Sequence, residues 1–400
     1  MLRSKFAKVG GLALAAVLAS CGGGSGGGSS PVDNPPPSPS GKVGHFFIIV
    51  LENKGYDTTF TNQPVPSHYL GAELPQIGQL LTHYYGTGHA SLDNYISMVS
   101  GQPPNAWTQA DSPVILNMQP GITDPTGVVA PSDIVIGTGS VYPAPTLTVV
   151  DQLEAKGFSW RGYMQDMGAD PTRESATCGH PAINAQDKTE SATATDQYAT
   201  RHDPFMYFHS IIDDQARCDQ HVVNLDALDA DLALEATTPN YVFITPDLCA
   251  DGHDSTCADG TSPGGYDGID AFLREWVPKI YNSPAFQHDG FLLITFDESD
   301  GNSTDGNDAC CNEPTGPNTT QPGAGEATSD PTCLLVNCAG GGRVGAIVVS
   351  PFTKPGSVND TPYNHYSMLR SVEDFFGLDH IGYAAQDGLV PFGNDVLNGP

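Results

Sequence analysis

The chain has 400 residues, enough for one large α/β domain or two ordinary domains. Its 16 basic residues are outnumbered by 46 acidic ones, and the formal net charge of −30 argues against nucleic acid or anionic membrane as an electrostatic partner. The 45 glycines and 33 prolines predict long loops between the secondary-structure elements.

Residues 1–21 have the pattern of an export signal. A basic start precedes the apolar stretch Val9 to Ala19, which is too short to span a bilayer. Leu18-Ala19-Ser20-Cys21 resembles a bacterial lipobox, so we expect Cys21 to be lipidated. The chain would then be a lipoprotein of the bacterial outer membrane, facing either the periplasm or the cell surface. An ordinary secretory signal with an incidental cysteine is the alternative. Residues 22–41 are rich in Gly, Ser and Pro and predict a flexible tether, and residues 42–400 form the predicted catalytic domain.

Four short apolar runs are typical of strands buried on both faces of a sheet. They are His45 to Leu51, Tyr241 to Thr245, Phe291 to Phe296 and Val344 to Val349. Helical patterns are predicted at 72–85, within 88–101, and at 147–156, 227–236, 269–276 and 368–376, with a further strand at 158–164. Short buried strands that alternate with helices predict an α/β fold with a mainly parallel central sheet and helices on both faces.

Carboxylates follow three of these four strands. Glu52-Asn53 follows the first strand, Asp247 the second, and Asp297-Glu298 the third. Because ligands gather beyond the carboxyl ends of parallel strands, we expect these side chains at one edge of the sheet. Acids gathered there would repel one another unless a cation lay between them, so the pattern indicates a divalent metal site. Capping of the next segment is the alternative for each acid.

The stretch from Gly88 to Gly101 predicts a helix that begins with a chemically useful serine. Leu92, Ile96 and Val99 follow at i, i+4 and i+7, which places Ser91 at the position of an N-cap. A serine there either caps the helix or holds its hydroxyl where the helix N-terminus attracts a phosphate. Asn94, one turn later, is expected to point its amide at the same place.

Four histidines in polar motifs add possible proton donors and phosphate ligands. They are His89, His202, His253 and His365. Combined with a metal and Ser91, this set suits phosphoryl transfer: the serine attacks phosphorus, a histidine protonates the leaving oxygen, and water releases the phosphoserine. A histidine taken alone is more often structural.

The cysteines indicate surface loops held by disulfides. Apart from Cys21 there are eight, an even number, and none of the pairs has the CxxC spacing of a zinc site. We predict Cys249–Cys257 and Cys178–Cys218, with Cys310 and Cys311 paired to Cys333 and Cys338 in some order.

Several sequence blocks resemble the phosphoesterase family that contains bacterial phospholipases C and acid phosphatases, within the alkaline-phosphatase-like superfamily. They span about residues 43–380 in the family's order: Ile48 to Asp57, His89 to Tyr95, Arg201 to Phe205, Thr245 to Asp247 with Asp251 to Asp254, Ile294 to Glu298, and Ser350 to Phe352 with His365 and 367–378. The second block is also similar to the nucleophile helix of nucleotide pyrophosphatases.

The resemblance implies an alkaline-phosphatase-like fold and a phosphoric ester hydrolase with one divalent ion, Ca, Mg, Mn or Zn. It makes Ser91 the nucleophile, and the implied metal ligands are Glu52, Asn53, Asp297 and Glu298. The implied catalytic histidines are His202 and His253, and the substrate-binding residues are Asn94, His89 and His365, of which His365 could also serve a second metal.

Three functions follow as hypotheses. The first is an exported acid phosphatase that acts on phosphomonoesters through a phosphoserine. The second is a phospholipase C that releases phosphorylated head groups. The sequence gives little to separate these two, because specificity is expected to lie in the loops at 102–145 and 299–340. The third is a non-catalytic surface lipoprotein that binds calcium, which would have no use for Ser91 beside four histidines.

Overall fold

The computed structural model describes residues 42–120, 130–300, 305–319 and 340–399. The predicted export signal with Cys21, the predicted tether, and Cys333 and Cys338 lie outside the described residues. None of the helices in the described ranges is both long and apolar enough to cross a membrane.

A twisted sheet runs through the centre of the fold. The described strands are β1 (His45–Leu51), β2 (Gln79–Leu81), β3 (Tyr84–Tyr85), β4 (Gln119–Pro120), β5 (Gly137–Thr138), β6 (Trp160–Met164), β7 (Val222–Asn224), β8 (Tyr241–Thr245), β9 (Gly290–Phe296), β10 (Ala346–Val349), β11 (Ser357–Asn359) and β12 (Tyr363–Asn364). Eight of them form the main sheet in the order β11-β2-β10-β9-β1-β8-β6-β7.

The prediction of a mainly parallel α/β sheet is confirmed. In the main sheet β1 pairs in parallel with both β8 and β9, and β6 pairs in parallel with β7 and β8. Only β10 among these described strands runs antiparallel to its neighbours, β2 and β9. All residues of β1, β8 and β9 are buried, which is why they read as continuous apolar runs.

Helices cover the sheet. They are α1 (Leu74–Ile77), α2 (Ser91–Ser100), α3 (Val149–Ala155), α4 (His209–Ile212), α5 (Gln215–His221), α6 (Leu228–Asp231), α7 (Gly265–Tyr281), α8 (Pro284–Asp289) and α9 (His365–Phe376). Short π-helical turns lie at Asp57–Thr61 and Tyr69–Glu73, and 3₁₀ turns at Thr108–Ala110, Thr200–His202, Pro204–Tyr207, Leu225–Ala227, Glu235–Thr237 and Gly382–Ala385.

Two helix predictions need correction. The helix predicted at 72–85 ends at Ile77, because the following Gln79–Leu81 pairs as a strand with β10 and β11. Burial of Leu81 in the sheet therefore outweighs its fit to a helical period. The helix predicted at 227–236 keeps its α-helical form only over Leu228–Asp231, with 3₁₀ turns on both sides.

Disulfides hold several loops. Cys178–Cys218 and Cys249–Cys257 are present as predicted. The predicted pairing of Cys310 and Cys311 with Cys333 and Cys338 is wrong, because the structure joins Cys310 to Cys311. Cysteine spacing alone does not determine connectivity, so the sequence left this choice open.

Candidate active site

Two carboxylates meet where β1 and β9 end. Leu51 and Phe296 are paired in register, so Glu52 and Asp297 emerge side by side, both fully buried. Asn53 has a left-handed backbone with φ of 57°, and its N–H donates to Asp297 Oδ1 at 3.1 Å. The parallel register thus brings together two acids that lie 245 positions apart in the sequence.

Helix α2 supplies two hydroxyl groups to this edge. Ala90 is the N-cap and Ser91 the first helical residue, which corrects the predicted N-cap position by one residue. The Ser91 side chain does not cap the helix: Oγ donates to Glu52 Oε2 at 2.9 Å, and the residue is only 4% exposed. One turn later Tyr95 donates to Glu52 Oε1 at 2.7 Å. Both oxygens of Glu52 are therefore held from the same face of α2.

His202 and Asp251 complete a buried cluster with Glu52. The His202 ring stacks on Tyr95 with centroids 5.3 Å apart. Its Nε2 lies 3.5 Å from Glu52 Oε2 and its Nδ1 lies 3.3 Å from Asp251 Oδ2, and neither nitrogen has a hydrogen-bond partner among the described residues. Glu52, His202 and Asp251 each offer a ligand atom within 4.8 Å of the others, so the three could hold a metal ion.

The charges at this cluster fit a cation. Burial and then the neighbouring acids Asp297 and Asp251 raise the pKa of Glu52 well above its ordinary value. Burial and then the Arg201 charge lower the pKa of His202, which keeps the ring neutral and able to act as a ligand. The Oδ2 atoms of Asp251 and Asp297 are buried and accept no hydrogen bond from the part of the chain that the structure describes. Carboxylates in this state are stabilised by a bound divalent ion.

Two basic side chains lie beside the acids. Lys54 Nζ donates to the carbonyl oxygens of Glu52, Asn53 and Gly252 at 3.3, 3.2 and 2.8 Å. Arg201 is 4% exposed and donates to the Glu190 carbonyl at 3.1 Å. These contacts hold positive charge at the edge of the acid cluster.

His253 is the histidine of this group that reaches the surface. Its side chain is 34% exposed, and its Nδ1 lies 2.8 Å from Asp254 Oδ1. Its Nε2 lies 3.4 Å from the Arg201 guanidinium, and its ring centroid is 6.0 Å from that of His202. This ring can therefore exchange protons with solvent beside the buried cluster.

Glu298 and His89 form a pair of their own. His89 Nδ1 lies 2.6 Å from Glu298 Oε2, and its Nε2 lies 2.8 Å from the carbonyl oxygen of Gly306. In this arrangement Glu298 points to His89 rather than to Glu52.

The side-chain amide of Asn94 forms its hydrogen bonds with the backbone of the loop before α2. Its Oδ1 accepts from the N–H groups of Thr87 and Gly88 at 2.7 and 3.1 Å, and its Nδ2 donates to the carbonyls of Gly88 and Ala90. The side chain is fully buried. It therefore shapes the turn that leads into Ser91.

His365 is buried behind Asp297. Its Nε2 donates to the Asp297 carbonyl oxygen at 2.6 Å, and its Nδ1 lies 3.2 Å from the Tyr84 hydroxyl. Burial lowers its pKa to about 4. Both nitrogens thus support the strand end rather than face the cluster of Glu52.

Sequence reasoning missed several members of the site. Tyr95 lies four residues after Ser91, a spacing that predicts a shared helix face, and this signal was available. Asp251 stood in the quoted Asp-Gly-His-Asp block without a ligand role, and Arg201 directly precedes His202. Asp251 and Arg201 lie close in the sequence to the candidate histidines His253 and His202, but they belong to no helical or strand period that would predict a role in the site.

Residues 58–379 match the model of the Phosphoesterase family. The chain belongs to the phosphoesterase family. The matched range contains Ser91, His202, Asp251 and Asp297, and it begins six residues after Glu52.

Curated relatives of this phosphoesterase include fungal and bacterial enzymes. A probable acid phosphatase of Kluyveromyces lactis is 24% identical over 345 residues, 86% of this chain and 61% of that protein. An acid phosphatase of Aspergillus fumigatus is 24% identical, over 87% of this chain and 59% of that protein. The chain thus spans about three-fifths of these fungal relatives. A phosphatidylinositol-3-phosphatase of Mycobacterium tuberculosis is 21% identical, over 85% of this chain and 79% of that protein.

Structural comparison also matches a protein of the alkaline phosphatase superfamily from Vibrio parahaemolyticus. It is 13% identical with a TM-score of 0.45, over 87% of this chain and 70% of that one. The lipoteichoic acid synthase LtaP from Listeria monocytogenes is 12% identical with a TM-score of 0.41, over 92% of this chain and 78% of that one.

Proposed function

We propose that this chain is a metal-dependent phosphatase that hydrolyses phosphomonoesters through a phosphoserine intermediate. The observation that carries the proposal is the 2.9 Å hydrogen bond from Ser91 Oγ to Glu52 Oε2 at the start of α2. A serine with a carboxylate acceptor at a helix N-terminus has what a nucleophile in phosphoryl transfer needs. The names of the fungal relatives support phosphomonoesters as substrates.

The chain's own groups suffice for the proton steps. Ser91 Oγ attacks phosphorus and forms a P–O bond, while its proton passes to Glu52 Oε2. The ester P–O bond breaks, and protonated His253 gives its proton to the leaving oxygen. Water then attacks the phosphoserine, neutral His253 accepts the proton of that water, and Glu52 returns a proton to the released Ser91 oxygen.

Two overlapping ligand sets share Glu52. The resemblance to the family implies Glu52 with Asn53, Asp297 and Glu298, whereas the geometry groups Glu52 with His202 and Asp251. A divalent ion held there would lower the pKa of the serine hydroxyl and neutralise charge on the phosphate. An imidazole ligand favours zinc over calcium, magnesium and manganese, which prefer oxygen ligands, so the two sets also differ in the metal they select.

The test is turnover of a chromogenic aryl phosphate by the purified chain between pH 4 and 9. We expect Ser91→Ala to lower kcat on the order of a million-fold, as nucleophile removal does in other hydrolases. Ser100→Ala is the matched control, because Ser100 lies buried on the same helix and, within the described structure, its hydroxyl bonds to the backbone of Ile96 and Gln102. Full activity in Ser91→Ala would refute the proposal, and activity that survives exhaustive chelation would refute the metal requirement.

Substrate class and location belong to the same proposal. Phosphatidylcholine offered beside an aryl phosphate separates the phospholipase C alternative from a phosphomonoesterase, and we expect turnover of the monoester alone. We also infer export with lipid attachment at Cys21. Mass spectrometry of the mature chain should find a diacylglyceryl-modified Cys21 as the first residue.

A further inference from the structure

The carboxylate of Asp111 lies on the backbone amide that follows Ser91. Asp111 Oδ1 accepts a 3.0 Å hydrogen bond from the Leu92 N–H. Leu92 is the second residue of α2, so this N–H is one of the amides at the helix start that have no partner within the helix. It is also the first backbone amide after the N–H of Ser91 itself.

The fold holds Asp111 in this position. Asp111 and Ser112 both have left-handed backbones, with φ of 55° and 53°, which non-glycine residues seldom adopt. The turn is fastened by hydrogen bonds from Asp111 N to the Thr108 carbonyl and from Ser112 N to the Trp107 carbonyl. Ser112 Oγ in turn donates to Ser140 Oγ at 2.6 Å. These backbone and side-chain contacts fix the turn that carries Asp111, and so they fix the position of its carboxylate beside the Leu92 amide.

Charged groups of both signs interact electrostatically with Asp111. The 4% exposed Arg201 and the ring of His253 interact with it favourably, whereas Glu298, Asp93 and Glu190 repel it. The Asp111 carboxylate is thus bound to an amide at a helix N-terminus, next in the chain to Ser91, and two basic side chains favour its negative charge. These are the surroundings that a phosphate oxygen prefers.

A phosphoryl group bonded to Ser91 Oγ would bring its non-bridging oxygens close to the Leu92 amide. Donors aimed at the oxygens of a reacting group stabilise the charge that develops on them. Since an amide N–H has one hydrogen to donate, a phosphate oxygen and Asp111 Oδ1 cannot both take a full hydrogen bond from Leu92.

We propose that Asp111 is a specificity-determining residue that competes with phosphate for the Leu92 amide. The inference rests on the proposed function, because it takes Ser91 as the site of phosphoryl transfer. Its consequence is weak binding of free phosphate dianion, which lets the inorganic phosphate product leave. Asp111 transfers no proton in this role.

Calorimetric titration of the purified full chain, with its metal, with inorganic phosphate at pH 7 tests the proposal. We expect the Kd to fall at least tenfold in Asp111→Asn, which keeps an oxygen near Leu92 but loses the charge, and at least as far in Asp111→Ala. Asp229→Asn removes the same charge from an exposed ion pair with Lys279 and should leave the Kd unchanged. Unchanged or weaker phosphate binding in the folded variants would overturn the proposal.

Wild-type turnover of the aryl phosphate is measured in parallel to separate the two proposals. Turnover without tighter phosphate binding in the Asp111 variants overturns the role of Asp111 alone. Tighter binding in a chain that does not turn over the ester supports the Asp111 contact and refutes the phosphatase assignment. If Asp111→Ala fails to fold, Asp111→Asn still decides the question, since it is nearly isosteric.

Discussion

Tyr95 donates its hydroxyl to Glu52 Oε1 at 2.7 Å while its ring stacks on His202, so one side chain supports two members of the cluster. Tyr95→Phe should keep the stacking and lose the hydrogen bond. We expect metal affinity to fall by about 10- to 100-fold, as for other outer partners of metal ligands, and stability to fall by about 1–3 kcal/mol.

Metal titration and denaturant unfolding measure the two effects of Tyr95→Phe. Tyr241→Phe is the matched control, because the Tyr241 hydroxyl is buried with no hydrogen-bond partner in the described structure. Its removal should leave metal affinity unchanged. Equal metal affinity in Tyr95→Phe and the wild type would show that the hydroxyl does not orient Glu52.

The two ligand sets make different predictions for two aspartates. If the ion is held by Glu52, His202 and Asp251, Asp251→Asn should lose bound metal while Asp297→Asn keeps most of it. If the ion is held as the family resemblance implies, the loss is reversed. Metal content measured by mass spectrometry of the purified variants decides between them, and Glu52→Gln should lose metal in either case.

How far the sequence predicts the site depends on which element carries each residue. Glu52 and Asp297 could be placed together because apolar runs identify buried parallel strands, whose carboxyl ends share one edge. Ser91 could be placed because it begins an amphipathic helix. Asp251 and Asp111 lie in loops whose paths are set by tertiary contacts, such as the Glu52 N–H bond to the Asp251 carbonyl. Such tertiary contacts produce no periodic pattern of residues in the sequence, so the sequence alone does not predict them.

The same limit applies to the direction of side chains. Asn94 was expected to face the phosphate because of its spacing from Ser91, whereas its amide bonds to the backbone of the preceding loop. Both directions are open to an asparagine near a helix start, where its amide competes for local backbone groups. Which one prevails depends on the path of residues 87–90, and helical spacing does not contain that information.

The pKa of His253, which Arg201 helps to lower, sets the expected upper pH limit of activity. Partial burial and then the Arg201 charge lower the pKa of His253 below 6.5. A general acid must be protonated, so activity is present below this pKa and is lost as pH rises through it. Arg201→Gln removes one cause of the depression, and the alkaline limb of the kcat profile should move to higher pH.

Profiles of kcat between pH 4 and 9 test the role of Arg201. A shift in the position of the alkaline limb indicates an effect on the pKa of His253, whereas a purely structural effect would lower the rate without moving the limb. Arg274→Gln serves as the control, because Arg274 is exposed and paired with Glu73 and Asp270 on another part of the surface. It should leave the limb in place. A limb that moves to lower pH in Arg201→Gln would contradict the assignment of His253 as the acid.

Glu373 on α9 predicts how stability depends on pH. The side chain is fully buried: Oε1 accepts from the Ile381 N–H at 3.0 Å, and Oε2 has no hydrogen-bond partner within the described ranges. Burial raises its pKa from 4.5 to about 9. Between about pH 4.5 and 9 the Glu373 carboxyl is protonated in the folded protein but ionised in the unfolded chain. Glu373 therefore does not reduce the free energy of unfolding below about pH 4.5, and it reduces that free energy increasingly as pH rises toward 9. Glu373→Gln should remove up to roughly 3 kcal/mol of this loss at pH 7.

Urea unfolding of the wild type and Glu373→Gln at pH 4, 7 and 8.5 measures this contribution. The glutamine oxygen can still accept from Ile381, so the two proteins should be nearly equal at pH 4, with the variant increasingly more stable at the higher values. Glu275→Gln is the control, because Glu275 is exposed beside Lys279 and should change stability little at any of the three. A Glu373→Gln variant that is destabilised by the same amount at every pH would mean that Glu373 is ionised in the folded protein, with its charge balanced by its surroundings.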